Sequence, residues 1–188
     1  MYQRMKKINA VLGLLTIALL IAHSGYNVFC YLTMYYNPVL KQVFSLPLMI
    51  AVCLHAFLGM SMVFLNRDSG DLRVYSEYNK ETILQRISAA LILPILFIHI
   101  KTFALMSSSA EAGSRLPVIL LILVEILFFG IVFTHISISF SRALVTLGLL
   151  SDIDKKRRLD KFMYVFCALL FAICVIAIVR TQLFMFIK

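Results

Sequence analysis

Five long apolar stretches limit the folds open to this chain more than any other feature of its sequence. They cover about residues 8–35, 43–65, 83–106, 116–150 and 162–187. A transmembrane helix needs about 20 such residues, and stretches this long with little alternation do not suit barrel strands. The chain has 188 residues, 62% of them hydrophobic, and a mean hydropathy of +0.95. The sequence predicts an all-α integral membrane protein with five transmembrane helices in a single domain, residues 1–188.

Lysine and arginine are divided unequally between the two sides of the predicted membrane. The N-terminus, the second loop and the fourth loop, with the adjoining helix ends, share one side and hold 13 of the 18 basic residues. These residues are Arg4, Lys6, Lys7, Arg67, Arg73, Lys80, Arg86, Arg142, Lys155, Lys156, Arg157, Arg158 and Lys161. Basic residues concentrate on the cytoplasmic side, which predicts a cytoplasmic N-terminus and an outer C-terminus in a cell (inner or plasma) membrane.

The chain has 18 basic and 9 acidic residues, which give it a formal net charge of +9. We expect no nucleic acid partner, because no basic module with interleaved aromatic residues lies outside the apolar stretches. The KKRR segment at 155–158 is typical of a topology signal that contacts lipid headgroups. A docking surface for a cytoplasmic partner is a second use for the same residues.

Each of the first four predicted helices carries one histidine: His23, His55, His99 and His135. Hydrocarbon offers an imidazole no hydrogen-bond partner, so an ionisable residue in a membrane helix is a candidate functional residue. From the predicted cytoplasmic ends, His23 and His99 lie roughly 24 and 20 Å deep at the helical rise, and His55 and His135 roughly 18 and 10 Å. We call His23 with His99 the outer pair, and His55 with His135 the inner pair.

Two imidazoles that face each other across a helix bundle are natural axial ligands for haem iron. Zinc usually takes three or four protein ligands, and a proton relay usually includes intramembrane carboxylates, of which this chain offers only Glu125. Small residues beside the histidines leave room for a haem, although they also line ordinary helix contacts. They are Ser24, Gly25, Ala51, Gly59, Gly130 and Ser139. The pattern predicts a four-helix haem-binding bundle.

Three segments resemble motifs of a known family, and the resemblance covers nearly the whole chain. They are HSGYN at 23–27, LQRISAALILPILFIH at 84–99, and, more loosely, THISISFSRALVTLGLLSD at 134–152. The family is that of the five-helix, di-haem cytochrome b subunits of succinate:quinone and quinol:fumarate oxidoreductases. Ala89 stands where the family usually has glycine. Phe133 stands where some members have a glutamate linked to proton passage, and the loop YYNPVLKQ at 35–42 lacks the carboxylate of others.

The resemblance implies two haem b groups, one on the outer pair and one on the inner pair. It implies a quinone substrate, menaquinone or ubiquinone, and flavoprotein and iron–sulfur subunits docked on the cytoplasmic face. The chain would then pass electrons between the membrane quinone and those subunits, which interconvert succinate and fumarate. The dicarboxylate active site would lie on the flavoprotein subunit.

Several other polar residues are candidates for parts of such a site. Arg86 and Arg142 suit haem propionates, although an arginine near a helix end can also simply reach the membrane surface. A quinone site is expected near the outer pair, with Tyr35, Lys101 and Glu125 as headgroup contacts. Lys101 can also reach the outer membrane surface or contact the outer haem propionates, and Tyr35 can belong to an interfacial belt of aromatic residues. Glu125 is the candidate to exchange the quinol proton, and its alternative role is pairing with a lysine or tyrosine of the bundle.

Two other functions fit the same residues. The chain could be the di-haem cytochrome b subunit of another quinone-linked reductase. It could also be a non-redox membrane anchor or small transporter whose histidines make structural hydrogen bonds. An optical spectrum separates the last from the first two, and identification of copurifying subunits separates the two cytochromes.

Overall fold

The computed structural model describes residues 2–65 and 76–187, and the side chains within 2–62 and 80–187. Over these ranges the chain is all-α, with no strand. The helices are α1 (Tyr2–Thr33), α2 (Pro38–Leu65), α3 (Ser76–Glu111), α4 (Arg115–Leu147) and α5 (Ile153–Phe186). Each of these five helices is long and apolar enough to cross a membrane. The predicted all-α membrane protein with five such helices is therefore confirmed. Arg67 and Arg73, which entered the orientation argument, lie outside the described residues.

Four helices begin before the apolar stretches that predicted them. They are α1, which begins at Tyr2, α2 at Pro38, α3 at Ser76 and α5 at Ile153, each several residues before the apolar stretch starts. The added turns are rich in lysine, arginine, glutamate and glutamine, which are good helix formers. The apolar stretch therefore marks the part of a helix that suits lipid, whereas backbone hydrogen bonding continues the helix beyond it.

Specific residues set other helix ends. The Asn37 side chain accepts hydrogen bonds from the backbone N–H of Val39 and Leu40, at 2.9 and 3.2 Å, and caps α2 just before Pro38. Asp152 caps α5 in the same way, accepting from two backbone N–H groups. Gly148, with φ of 77°, ends α4 a few residues before the apolar stretch ends, because this left-handed conformation favours glycine.

Helix α4 forms the centre of the protein. It packs against α3, α5 and α1, while α1 also packs against α2 and α5. The core joins α4 to α5 through Phe128, Val132, Phe133, Ile136, Met163, Cys167 and Cys174, with apolar residues of α1 and α3 packed against it. The four histidine-bearing helices thus follow the order α2, α1, α4, α3. In the described part of the chain, neither α1 with α3 nor α2 with α4 packs extensively.

Candidate metal centre on four helices

The four histidines lie one on each of α1 to α4, and each is partly buried. His23 and His99 are close enough to interact electrostatically, and so are His55 and His135. The members of each pair belong to helices that do not pack extensively against each other. The fold therefore brings together the residues of the outer pair, and those of the inner pair, while leaving their backbones apart.

The ring of His135 is oriented by a serine of the neighbouring helix. Its Nδ1 lies 3.0 Å from the hydroxyl oxygen of Ser88, and that hydroxyl donates to the backbone carbonyl of Gln85 at 3.0 Å. A serine hydroxyl has one proton, so when Gln85 accepts that proton, Nδ1 of His135 must donate. In the neutral ring, the lone pair then resides on Nε2. Ser88 is only 4% exposed, so lipid does not reach this bond.

His55 is held by the backbone of α1. Its Nδ1 lies 3.3 Å from the carbonyl oxygen of Asn9, which can only accept a hydrogen bond. Nδ1 therefore carries the proton, and the lone pair is again on Nε2. One turn further along α1, Gly13 leaves room for the ring, since a Cβ there would lie 3.1 Å from Cε1 of His55.

We expect Gly13→Ala to destabilise the protein by about 1 kcal/mol relative to Gly25→Ala. The added methyl would push on a ring that is held by its bond to Asn9, whereas nothing lies within 4 Å of a Cβ at Gly25. Both changes remove a helical glycine from α1, which by itself favours the folded state by roughly 0.5–1 kcal/mol. The midpoints of denaturant unfolding in detergent measure the difference. Equal midpoints for the two variants would show that the ring moves freely.

His99 has a carboxylate as its partner. Its Nδ1 lies 2.8 Å from Oε2 of Glu125, whose side chain is 5% exposed. The ring stacks on Phe128 with centroids 4.8 Å apart and meets Phe129 edge-on at 5.8 Å. With the carboxylate accepting from Nδ1, the lone pair of the neutral ring lies on Nε2 here as well.

His23 is arranged differently. The amide nitrogen of Asn27 lies 3.0 Å from Nε2 and also donates to the His23 carbonyl at 2.8 Å. An amide nitrogen only donates, so Nε2 of His23 is the acceptor, and Nδ1 donates to the Ser45 hydroxyl at 3.3 Å. The same nitrogen thus carries the lone pair in all four rings, but at His23 it already accepts a bond that Asn27 must release before Nε2 can bind anything else.

The Nδ1 partner of each ring is of the kind that a metal-binding histidine usually has. A histidine that binds a metal usually donates its other ring N–H to a carboxylate, carbonyl or similar acceptor, which orients the ring and fixes its tautomer. Bis-histidine haem needs two imidazoles. Within the described residues, no three His, Cys, Asp or Glu side chains are placed to hold a metal ion, the minimum that zinc usually takes.

The two predicted propionate contacts have different surroundings. The guanidinium of Arg142 donates to Gln85 Oε1 at 2.9 Å and to Thr82 Oγ1 at 2.6 Å, which ties α4 to α3. Gln85 also donates to Ser139 at 3.0 Å. Gln85 thus connects Arg142 to Ser88, which holds the ring of His135. Arg86, in contrast, is exposed on α3.

The three predicted quinone contacts differ in burial. Glu125 is buried against His99, while Lys101 is exposed on α3 and Tyr35 is 51% exposed in the connection between α1 and α2. Tyr31 instead lies close enough to Glu125 to interact with it electrostatically. The sequence predicts a lysine or a tyrosine as the alternative partner of Glu125. The structure shows that its hydrogen-bond partner is His99, at 2.8 Å.

The partners of the histidine rings were not found from the sequence. Asn27 follows His23 by four residues, a spacing that places both on one face of a helix and could have drawn attention to it. The other partners, Asn9, Ser45, Ser88 and Glu125, come from neighbouring helices. No sequence signal joins them to their histidines, because helix rotation and packing decide which face meets which.

Comparison with known proteins adds no family assignment. No protein-family model, no curated protein and no solved structure matches this chain. The resemblance of residues 23–27, 84–99 and 134–152 to di-haem cytochromes b therefore remains a prediction. What the chain does is inferred from the arrangement of its own side chains.

Proposed function

We propose that this chain is the di-haem cytochrome b subunit of a quinone-linked oxidoreductase. In this role it anchors iron–sulfur and flavoprotein subunits that interconvert succinate and fumarate, and it passes electrons between them and a membrane quinone. One observation carries the proposal. Nδ1 of each membrane histidine lies within hydrogen-bond distance of an oxygen atom that can accept, which leaves the lone pair of the neutral ring on Nε2, and the two rings of each pair are within electrostatic range of each other.

The chain's own residues have distinct tasks in this proposal. Nε2 atoms of the outer and inner pairs would hold two b haems, which would supply one-electron chemistry when bound. Asn9 and Ser88 keep the inner rings in the required tautomer. Arg142 is the better placed of the two propionate candidates, because its guanidinium has donors beyond the two bonds it makes and lies in the cluster that orients His135.

The orientation and partners belong to the same proposal. A cytoplasmic N-terminus puts the start of α5 on the side of the soluble subunits. There Lys155, Arg157 and Arg158 are exposed, whereas Lys156 pairs with Asp160 at 2.7 Å. Exposed cations suit anionic lipid headgroups or an acidic face of a docked subunit. The quinone site is proposed near the outer pair, because two haems then link opposite sides of the bilayer.

Haem stoichiometry is the direct test. Chain purified from cells supplied with haem is expected to contain two haems b, since two ligand pairs are present. The pyridine haemochrome assay counts them, and the optical and electron paramagnetic resonance spectra report bis-histidine low-spin iron. A content near one haem per chain, or none, contradicts the proposal, and a protein without haem is expected of a non-redox anchor. Copurifying subunits then distinguish a succinate or fumarate enzyme from another quinone-linked reductase.

A further inference from the structure

Glu125 is a buried carboxylate whose one hydrogen bond goes to a proposed haem ligand. Oε2 accepts from Nδ1 of His99 at 2.8 Å, and the side chain is 5% exposed. The other oxygen, Oε1, is buried with no hydrogen-bond partner in the described structure. A carboxylate with one strong donor and one oxygen unsatisfied is costly to place in a membrane bundle, which points to a function for the group.

The other three rings have neutral partners. His135 and His23 donate to serine hydroxyls, and His55 donates to a backbone carbonyl. A carboxylate attracts the Nδ1 proton more strongly and so makes the ring a more basic ligand. The aromatic rings of Phe128 and Phe129 pack against the His99 ring, and apolar surroundings of this kind strengthen a hydrogen bond.

We propose that Glu125 is a positioning residue that orients His99 towards the outer haem and lowers the reduction potential of that haem. The inference rests on the proposed function and assigns Glu125 a role at the haem ligand instead of at the quinone headgroup. A more basic histidine ligand donates more electron density to the iron. This stabilises ferric iron more than ferrous iron, because ferric iron carries one more positive charge. A hydrogen bond to the second ring nitrogen of a ligating histidine is one of the means by which proteins tune haem iron.

Redox titration of purified Glu125→Gln tests this inference. Glutamine keeps an acceptor of similar size but removes the charge. At a given ambient potential, the reduced-to-oxidised ratio of the outer haem should rise on the order of tenfold, a shift of about 59 mV for one electron. The inner haem should keep its potential. Glu125→Asp retains the carboxylate and should lie closer to the wild type.

Glu111→Gln is the matched control. Glu111 is exposed at the end of α3 and hydrogen-bonds Ser107, so its charge can be removed without touching a histidine. Loss of the outer haem alone in Glu125→Gln would also support the inference, because it shows that His99 is no longer held. An unchanged outer potential, an equal shift in Glu111→Gln, or loss of both haems in Glu125→Gln would overturn it. Wild-type protein without two haems would instead refute the proposed function.

Discussion

Replacing His55 with alanine is expected to remove one haem, the same haem that is lost from His135→Ala. His23→Ala and His99→Ala should both remove the other haem. Each variant should retain about half of the wild-type haem, because a bis-histidine site fails when either ligand is absent. The electrostatic proximity of His55 to His135 and of His23 to His99 supports this division. Pyridine haemochrome content gives the number of haems, and potentiometric titration identifies which one remains.

Double variants give the same test a second readout. His55→Ala combined with His135→Ala should still retain one haem, whereas His23→Ala combined with His55→Ala should retain none. Cys53→Ala is a suitable control, because Cys53 is exposed on α2 two residues before His55. If His23→Ala and His99→Ala remove different haems, the outer pair is not a ligand pair.

Arg142→Leu is expected to destabilise the protein by about 3 kcal/mol, on the basis that a hydrogen bond to a charged group contributes roughly 1.5–3 kcal/mol. The change removes two bonds to α3, at 2.9 and 2.6 Å, and deprives Gln85 Oε1 of this donor. Arg86→Leu, the matched removal of an exposed arginine from α3, should change stability by less than about 0.5 kcal/mol. Unfolding midpoints in detergent, measured without haem, compare the two variants.

The same variants separate a structural arginine from a propionate contact. If Arg142 also binds a haem propionate, the difference between the two variants should widen when the protein carries haem. Equal destabilisation by Arg142→Leu and Arg86→Leu in haem-free protein would contradict the role of Arg142 in joining α3 to α4.

The sequence by itself determined the number and type of the secondary-structure elements. A helix that crosses a bilayer must be apolar over about 20 residues, so five such stretches translate directly into five helices. The same constraint makes each histidine conspicuous, because an imidazole in an apolar stretch has no local reason to be there. Depth along a helix follows from the fixed rise per residue, which is why the division into outer and inner pairs could be made without coordinates.

Only the tertiary structure decided what each ring contacts. The rotation of α3 against α4 turns Ser88 towards His135 and His99 towards Glu125, and it leaves Arg86 exposed while Arg142 meets Thr82 and Gln85. Apolar periodicity is weak in a membrane helix, since lipid-facing and core-facing positions are both hydrophobic, so the sequence does not fix this rotation. The sequence also could not show that Gly13 leaves room for the ring of His55. A glycine has that role only when a particular side chain of a neighbouring helix packs against it.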